Sequence, residues 1–148
     1  MSNSLKLITA LVLLGNLVFG AWSPSYAADY DLNGVWINND SQTGGITKIV
    51  ISHQEDDLII NPFGKCHPVD CDWGVVSIRY SNTLPIEVTM EQDFKTVHVS
   101  IVSYTDDYLH VKTDNVFDNE IQRDYSAEYV LHRDNNITGN PLNSLATP

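Results

Sequence analysis

Eleven residues near the middle of the chain concentrate side chains that can do chemistry. The segment Gly64 to Gly74, GKCHPVDCDWG, contains both cysteines of the sequence, one of its five histidines, two carboxylates and a tryptophan. Thiolates, an imidazole and a carboxylate are suitable ligands for Zn²⁺ or a thiophilic copper ion. Two oxidised cysteines would instead close a small disulfide loop. The segment therefore predicts either a metal or redox site or a covalently closed loop.

The first residues have the pattern of a secretory signal. Met1 to Lys6 carries one positive charge, and Leu7 to Gly20 is uncharged and mostly apolar. Ser25-Tyr26-Ala27 places small residues at the two positions that a signal peptidase reads. We expect a signal peptide over 1–27, cleavage before Ala28, and export to a periplasm or out of the cell. The apolar run is shorter than the roughly 20 residues that span a bilayer, so we predict no stable membrane anchor.

Export favours a disulfide between Cys66 and Cys71, because thiols are oxidised in the compartments that exported proteins reach. A closed loop would present His67, Asp70 and Trp73 as candidate ligand-binding residues. The alternative is a metal-binding or redox protein that uses Cys66, His67, Asp70 and Cys71 as its ligands. Their spacing is not that of a zinc finger, and no second cluster of cysteines and histidines completes such a site. The disulfide interpretation requires no cofactor.

The balance of charges limits the classes of partner. The 148-residue chain has 19 acidic and 8 basic residues and a formal charge of −11, which becomes −12 if Lys6 leaves with the signal. Nucleic acid is not an expected partner, because binding phosphates requires a clustered basic face. The 121 residues after the signal are enough for one domain with a hydrophobic core.

Alternation of apolar and polar residues predicts an all-β protein after the signal. Over residues 86–91, isoleucine, valine and methionine alternate with glutamate, threonine and glutamate, the period of a strand with one buried and one polar face. We predict about eight strands, over residues 34–39, 45–53, 57–63, 73–81, 84–91, 95–104, 108–114 and 124–133.

Short connections between these strands favour a single antiparallel meander. Closing the meander into a calycin-like barrel would remove its exposed edges, and a β-sandwich is the fallback. We place the barrel domain over 28–134. Residues 135–148 are rich in Asn, Thr, Gly and Pro, so we predict a disordered tail there.

One hairpin can be predicted residue by residue. A three-residue loop over 105–107 places Ile101 opposite Val111 and Ser103 opposite Leu109. A two-residue turn would put Ile101 opposite a charged residue on the same face. The three-residue loop is therefore the prediction.

Several runs of the sequence resemble known groups of proteins. Gly34 to Asn38, Gly45 to Ile51, Gly64 to Gly74 and Asp118 to Arg133 together resemble small secreted bacterial proteins of unassigned function that carry the same cysteine segment. More distantly, Gly34-Val35-Trp36 resembles the Gly-x-Trp opening of lipocalin and avidin-type barrels, the calycins. That resemblance implies an eight-stranded barrel and, by analogy, a ligand cavity. It implies no biotin site, since no set of biotin contacts carries over.

Binding, not catalysis, is the function that the sequence predicts. No serine lies in a Gly-x-Ser-x-Gly elbow, and a Cys-His nucleophile would need a reduced cysteine. We expect an exported, non-catalytic protein that binds a small molecule or another protein at the barrel mouth and the loop 64–74. Alternatively, it is a structural or inhibitory surface protein whose stiff loop inserts into a partner protein. Aromatic residues that would plug the mouth or contact a ligand are Trp73, Tyr80, Tyr104, Tyr125 and Tyr129.

Overall fold

Nine β-strands make up the regular structure of the part of the chain that the structure describes. The structure is a computed structural model and describes residues 31–136. The predicted signal peptide and residues 137–148 of the predicted tail lie outside this range. The strands are β1 (Gly34–Asn38), β2 (Ile46–Gln54), β3 (Asp57–Gly64), β4 (Cys71–Asp72), β5 (Val76–Arg79), β6 (Ile86–Gln92), β7 (Lys95–Tyr104), β8 (Tyr108–Phe117) and β9 (Tyr125–Arg133).

The strands form one antiparallel sheet with the order β4-β3-β2-β1-β9-β8-β7-β6, and β5 pairs with β3 beside β4. β4 and β5 therefore share one position, and the sheet is a meander of eight positions in which the first strand pairs with the last. It curls into a half-barrel, since no ladder joins β5 to β6 in this part of the chain. The predicted all-β antiparallel meander of about eight strands is confirmed. Residues 31–136 contain no helix that could span a membrane.

The fourth predicted strand, 73–81, is longer than the strand observed, since β5 covers only Val76–Arg79, and the two-residue strand β4 before it was not predicted. The pairing with β3 stops after Asp72 and resumes at Val76. Gly74 lies in the break with a φ of 95°, a left-handed conformation that glycine adopts without strain. Trp73, at the start of this break, lines a cleft at the open end of the half-barrel.

The hairpin of β7 and β8 matches its prediction in part. The loop over 105–107 and the pair of Ile101 with Val111 are confirmed. Ser103, however, pairs with His110 and not with Leu109, because a bulge adds one residue to β7 between Ile101 and Ser103. The bulge lets a tight turn coexist with apolar pairing farther down the hairpin.

Inward-facing residues of the strands pack into one apolar core. The alternation predicted for 86–91 is confirmed, since Ile86, Val88 and Met90 are buried and the residues between them are exposed. The core also includes Leu32, Trp36, Ile46, Ile49, Ile51, Leu58, Ile60, Val97, Val99, Ile101, Leu109, Val111 and Leu131.

The outer face of β1 to β3 carries buried apolar residues. Val35, Val50 and Phe63 are buried and form a second cluster. The Lys48 Nζ lies 4.1 Å from the centre of the Phe63 ring, so the ammonium covers the face of this ring.

One end of the half-barrel is closed by Arg133, the last residue of β9. Its guanidinium carbon lies 4.2 Å from the centre of the Trp36 ring. Its Nε donates a 2.6 Å hydrogen bond to the carbonyl of Asp106, and its two terminal nitrogens donate to the carbonyls of Asn33 and Asp31. One side chain therefore joins the start of β1, the β7–β8 turn and the end of β9.

We predict that Arg133→Met lowers the free energy of unfolding by at least about 2 kcal/mol, because three carbonyls lose a charged donor. The measurement is urea unfolding followed by circular dichroism. The control is Lys112→Met, which removes an exposed ion pair of 3.1 Å with Glu128 and should cost less than about 1 kcal/mol. Equal urea midpoints for the two variants would contradict the role of Arg133 in closing the sheet.

Candidate functional site

A cleft of about 440 Å³ opens at the end of the half-barrel opposite Arg133. The meander brings the β3–β4 connection, the β6–β7 turn, the end of β8 and the start of β9 to this end. We call it the mouth cleft. The residues that line it are Gly44, Gly45, Gly64, Lys65, Cys66, Cys71, Asp72, Trp73, Glu91, Gln92, Asp93, Phe94, Lys95, Asn115, Tyr125 and Tyr129.

The cysteine segment forms one wall of the mouth cleft. Cys66 and Cys71 are joined by a disulfide with Cα atoms 5.4 Å apart, which confirms the predicted bond. Their sulfur atoms are bonded to each other and are not available as thiolate ligands. Within residues 31–136, no group of three His, Cys, Asp or Glu side chains is arranged to hold a metal ion. The alternative metal site therefore has no supporting geometry in the described residues.

The three residues predicted to contact a ligand lie in three different surroundings. Trp73 lines the mouth cleft. Asp70 lines a separate groove of about 280 Å³ that also includes Ile37 and Lys48, on the outer side of the sheet. His67 is exposed in the disulfide loop and is not among the lining residues of either. The fold thus does not bring the three predicted side chains together.

Trp73 is held against the backbone of β3. Its backbone N–H donates a 3.0 Å hydrogen bond to the Pro62 carbonyl. A Cβ built on Gly64 would overlap the Trp73 indole, so only glycine lets the ring lie this close. The neighbouring Asp72 accepts a 2.8 Å hydrogen bond from the Asn61 Nδ2, which fixes the same stretch of chain.

Lys95 is the central cation of the mouth cleft. Its Nζ donates a 2.8 Å hydrogen bond to the Asn115 Oδ1. Three aromatic rings surround the amine, with centres at 5.6 Å for Trp73, 5.7 Å for Phe117 and 5.8 Å for Phe94. Ring faces attract a cation within about 6 Å. Burial lowers the pKa of Lys95 below its usual value, because desolvation disfavours the charged amine.

Two tyrosines of β9 complete the aromatic lining. Burial, and secondly the charge of Tyr129, raises the pKa of Tyr125 above its usual value. A tyrosine phenol is protonated at neutral pH in any case, so Tyr125 can donate a hydrogen bond. Tyr129 lies against Gly45, where a Cβ would overlap its hydroxyl. The other two tyrosines singled out from the sequence, Tyr80 and Tyr104, lie near the closed end, and their hydroxyls are 3.1 Å apart.

Three polar residues of the mouth cleft were not predicted as site residues, although their positions in the alternation of apolar and polar residues indicated them. Gln92 continues the inward series of β6, Lys95 begins that of β7, and Asn115 continues that of β8. Each occupies a position that the alternation assigns to the core. When several neighbouring strands each carry a polar residue at an inward-facing position near the same end, these residues indicate a site that faces the interior.

Comparisons with models of protein families, with curated proteins and with solved structures gave no match. Function is therefore inferred from the fold and from the chemistry of the mouth cleft.

We predict that Gly64→Ala moves the Trp73 indole, destabilises the protein by about 1–3 kcal/mol and changes the tryptophan emission, because the new methyl group overlaps the ring. Gly44→Ala is the matched control, since a Cβ there has no heavy atom within 4 Å. The measurements are the tryptophan emission spectra and the urea midpoints of the two variants. If both variants behave as the parent protein does, the Trp73 packing described above is wrong.

Replacing both Cys66 and Cys71 by serine should lower the free energy of unfolding by only about 2 kcal/mol, because the bond closes a short loop. The sheet should remain folded by circular dichroism, since the core lies elsewhere. Complete unfolding of the double variant at 25 °C would show that the disulfide is needed for the fold and not only for the shape of the loop.

Proposed function

We propose that the protein is an exported, non-catalytic binding protein that takes a small molecule in the mouth cleft. The observation that carries this proposal is the lining of the cleft, in which aromatic side chains surround a few polar groups. Ligand sites of about 300–1,000 Å³ with this mixture are typical of small-molecule binding. The cleft volume of about 440 Å³ falls in that range.

The restrained walls of the mouth cleft also favour this proposal. The Cys66–Cys71 disulfide restricts one wall, and glycine contacts hold Trp73 and Tyr129 in place. A preformed site loses less conformational entropy when a ligand binds. No histidine is among the residues given for the cleft, and the described cysteines are all in the disulfide, so a binding role fits these residues better than acid–base or thiol chemistry does.

The test uses N-phenyl-1-naphthylamine, an uncharged dye whose fluorescence rises in apolar surroundings. We expect saturable binding that Tyr125→Ala weakens about tenfold, because an aromatic wall of the cleft is lost. Tyr108→Ala is the matched control, since Tyr108 is 47% exposed and Tyr125 46%, but Tyr108 begins β8 at the closed end. The control should bind as the parent protein does.

Two results would contradict the proposal. Absence of saturable dye binding by the folded protein would leave the cleft without a ligand role. Equal weakening by Tyr108→Ala and Tyr125→Ala would place the dye outside the mouth cleft.

A second candidate is binding of another protein through the disulfide loop. Val69 at the tip of the loop is 73% exposed, and an exposed apolar side chain on a restrained loop suits insertion into a partner. Capture of a partner from the host envelope by the parent protein, and its loss in Val69→Ser but not in Tyr125→Ala, would favour this candidate over the first.

A further inference from the structure

Polar groups meet on the inner face at the mouth cleft in an arrangement dominated by donors. Gln92 and Lys95 are direct partners across the β6–β7 hairpin. Directly opposed side chains in an antiparallel pair have Cβ atoms about 5 Å apart. The amide of Gln92 and the amine of Lys95 therefore lie side by side in the lining of one cleft.

The Lys95 ammonium has no anionic partner. Within residues 31–136, ion pairs join Arg79 to Asp56 and Lys112 to Glu128, and neither includes Lys95. The surrounding rings attract the cation but do not neutralise it. A partly desolvated cation that forms no ion pair is unfavourable, and desolvation also lowers the pKa of the amine.

Gln92 adds a second unused donor. Its Nε2 is shielded from solvent and forms no hydrogen bond within the described part of the chain. Buried donors in folded proteins are nearly always paired. A rotation of the Gln92 amide would bring this donor to the cleft surface, where one anionic oxygen group would accept hydrogen bonds from Gln92 and Lys95 and would neutralise the charge of the lysine.

Building on the proposed small-molecule site, we infer that the mouth cleft recognises a singly charged oxyanion, a carboxylate or a sulfonate, attached to an apolar or aromatic body. Lys95 and Gln92 donate hydrogen bonds to the anionic oxygens. Trp73 and Tyr125 contact the body of the ligand. The ligand thus completes two interactions that the protein leaves open.

The acidic rim limits the charge of such a ligand. Three carboxylates, Asp72, Glu91 and Asp93, line the mouth cleft together with the lysines Lys65 and Lys95, and the whole chain has a formal charge of −11. A negative potential opposes a dianion more strongly than a monoanion, whereas the hydrogen bonds from Lys95 and Gln92 are available to both. A monoanion is therefore the favoured class.

The experiment compares two dyes with one ring system, 8-anilinonaphthalene-1-sulfonate and its uncharged counterpart N-phenyl-1-naphthylamine. We expect the parent protein to bind the sulfonate at least about tenfold more tightly, because only the sulfonate accepts a hydrogen bond from the ammonium. Lys95→Met should abolish this preference, and Gln92→Met should reduce it severalfold. Lys95→Arg, which keeps the charge, should retain most of it.

Controls separate this effect from changes in folding and in surface charge. Lys112→Met removes an exposed lysine from the outer face of β8 and should leave the preference unchanged. Urea midpoints establish that each variant is folded. Competition on the parent protein needs no variant: benzoate should displace the sulfonate dye, benzyl alcohol should not, and phenyl phosphate, a dianion at pH 8, should do so less well than benzoate.

Equal affinities of the parent protein for the two dyes, or an unchanged preference in folded Lys95→Met, would overturn the anion inference. The proposed function would survive that result if the neutral dye still depended on Tyr125. Stronger displacement by phenyl phosphate than by benzoate would overturn the assignment of a single charge. Failure to bind either dye would remove both the inference and the proposed function.

Discussion

The pairing of the first described strand with the last is the contact on which the half-barrel depends. Trp36 and Arg133 are partners in the β1–β9 ladder, and the guanidinium covers the indole while bonding to backbone carbonyls. One of these bonds joins Asn33 to Arg133 across 100 residues of chain. Ordering so long a loop costs entropy, but that cost rises only slowly with length. Burial of the indole and three charge-assisted hydrogen bonds offset it.

The pairing of β1 with β9 determines which strands are left as free edges of the sheet. Since β1 joins β9, the free edges of the sheet are β4/β5 and β6, which follow one another in the chain. At the mouth, Trp73 lies across this opening, with its ring 5.6 Å from the Lys95 amine. The break after Asp72 therefore has a structural consequence at the mouth cleft. It lets the disulfide segment form a wall of the cleft while β5 continues the sheet.

The mouth cleft holds groups that a purely structural core would exclude. Lys95 and Gln92 occupy inward positions of β7 and β6, where the other inward residues of these strands are mostly apolar. An unpaired cation and an unused donor lower stability, and natural proteins tolerate such groups chiefly at functional sites. The same position that makes these side chains unfavourable for folding makes them available to a ligand.

Local patterns of the sequence were enough to predict most of the strands, the Ile101–Val111 pair and the disulfide, because a period of two and the pairing of the only two cysteines are local properties. The break between β4 and β5 was not predicted. The site was predicted only in part. Trp73 lines the mouth cleft, whereas Asp70 lines the outer groove and His67 is exposed in the disulfide loop. Which side chains meet Trp73 was decided by the tertiary structure alone, since only the ladders of β6, β7 and β8 bring distant inward positions to one end of the sheet.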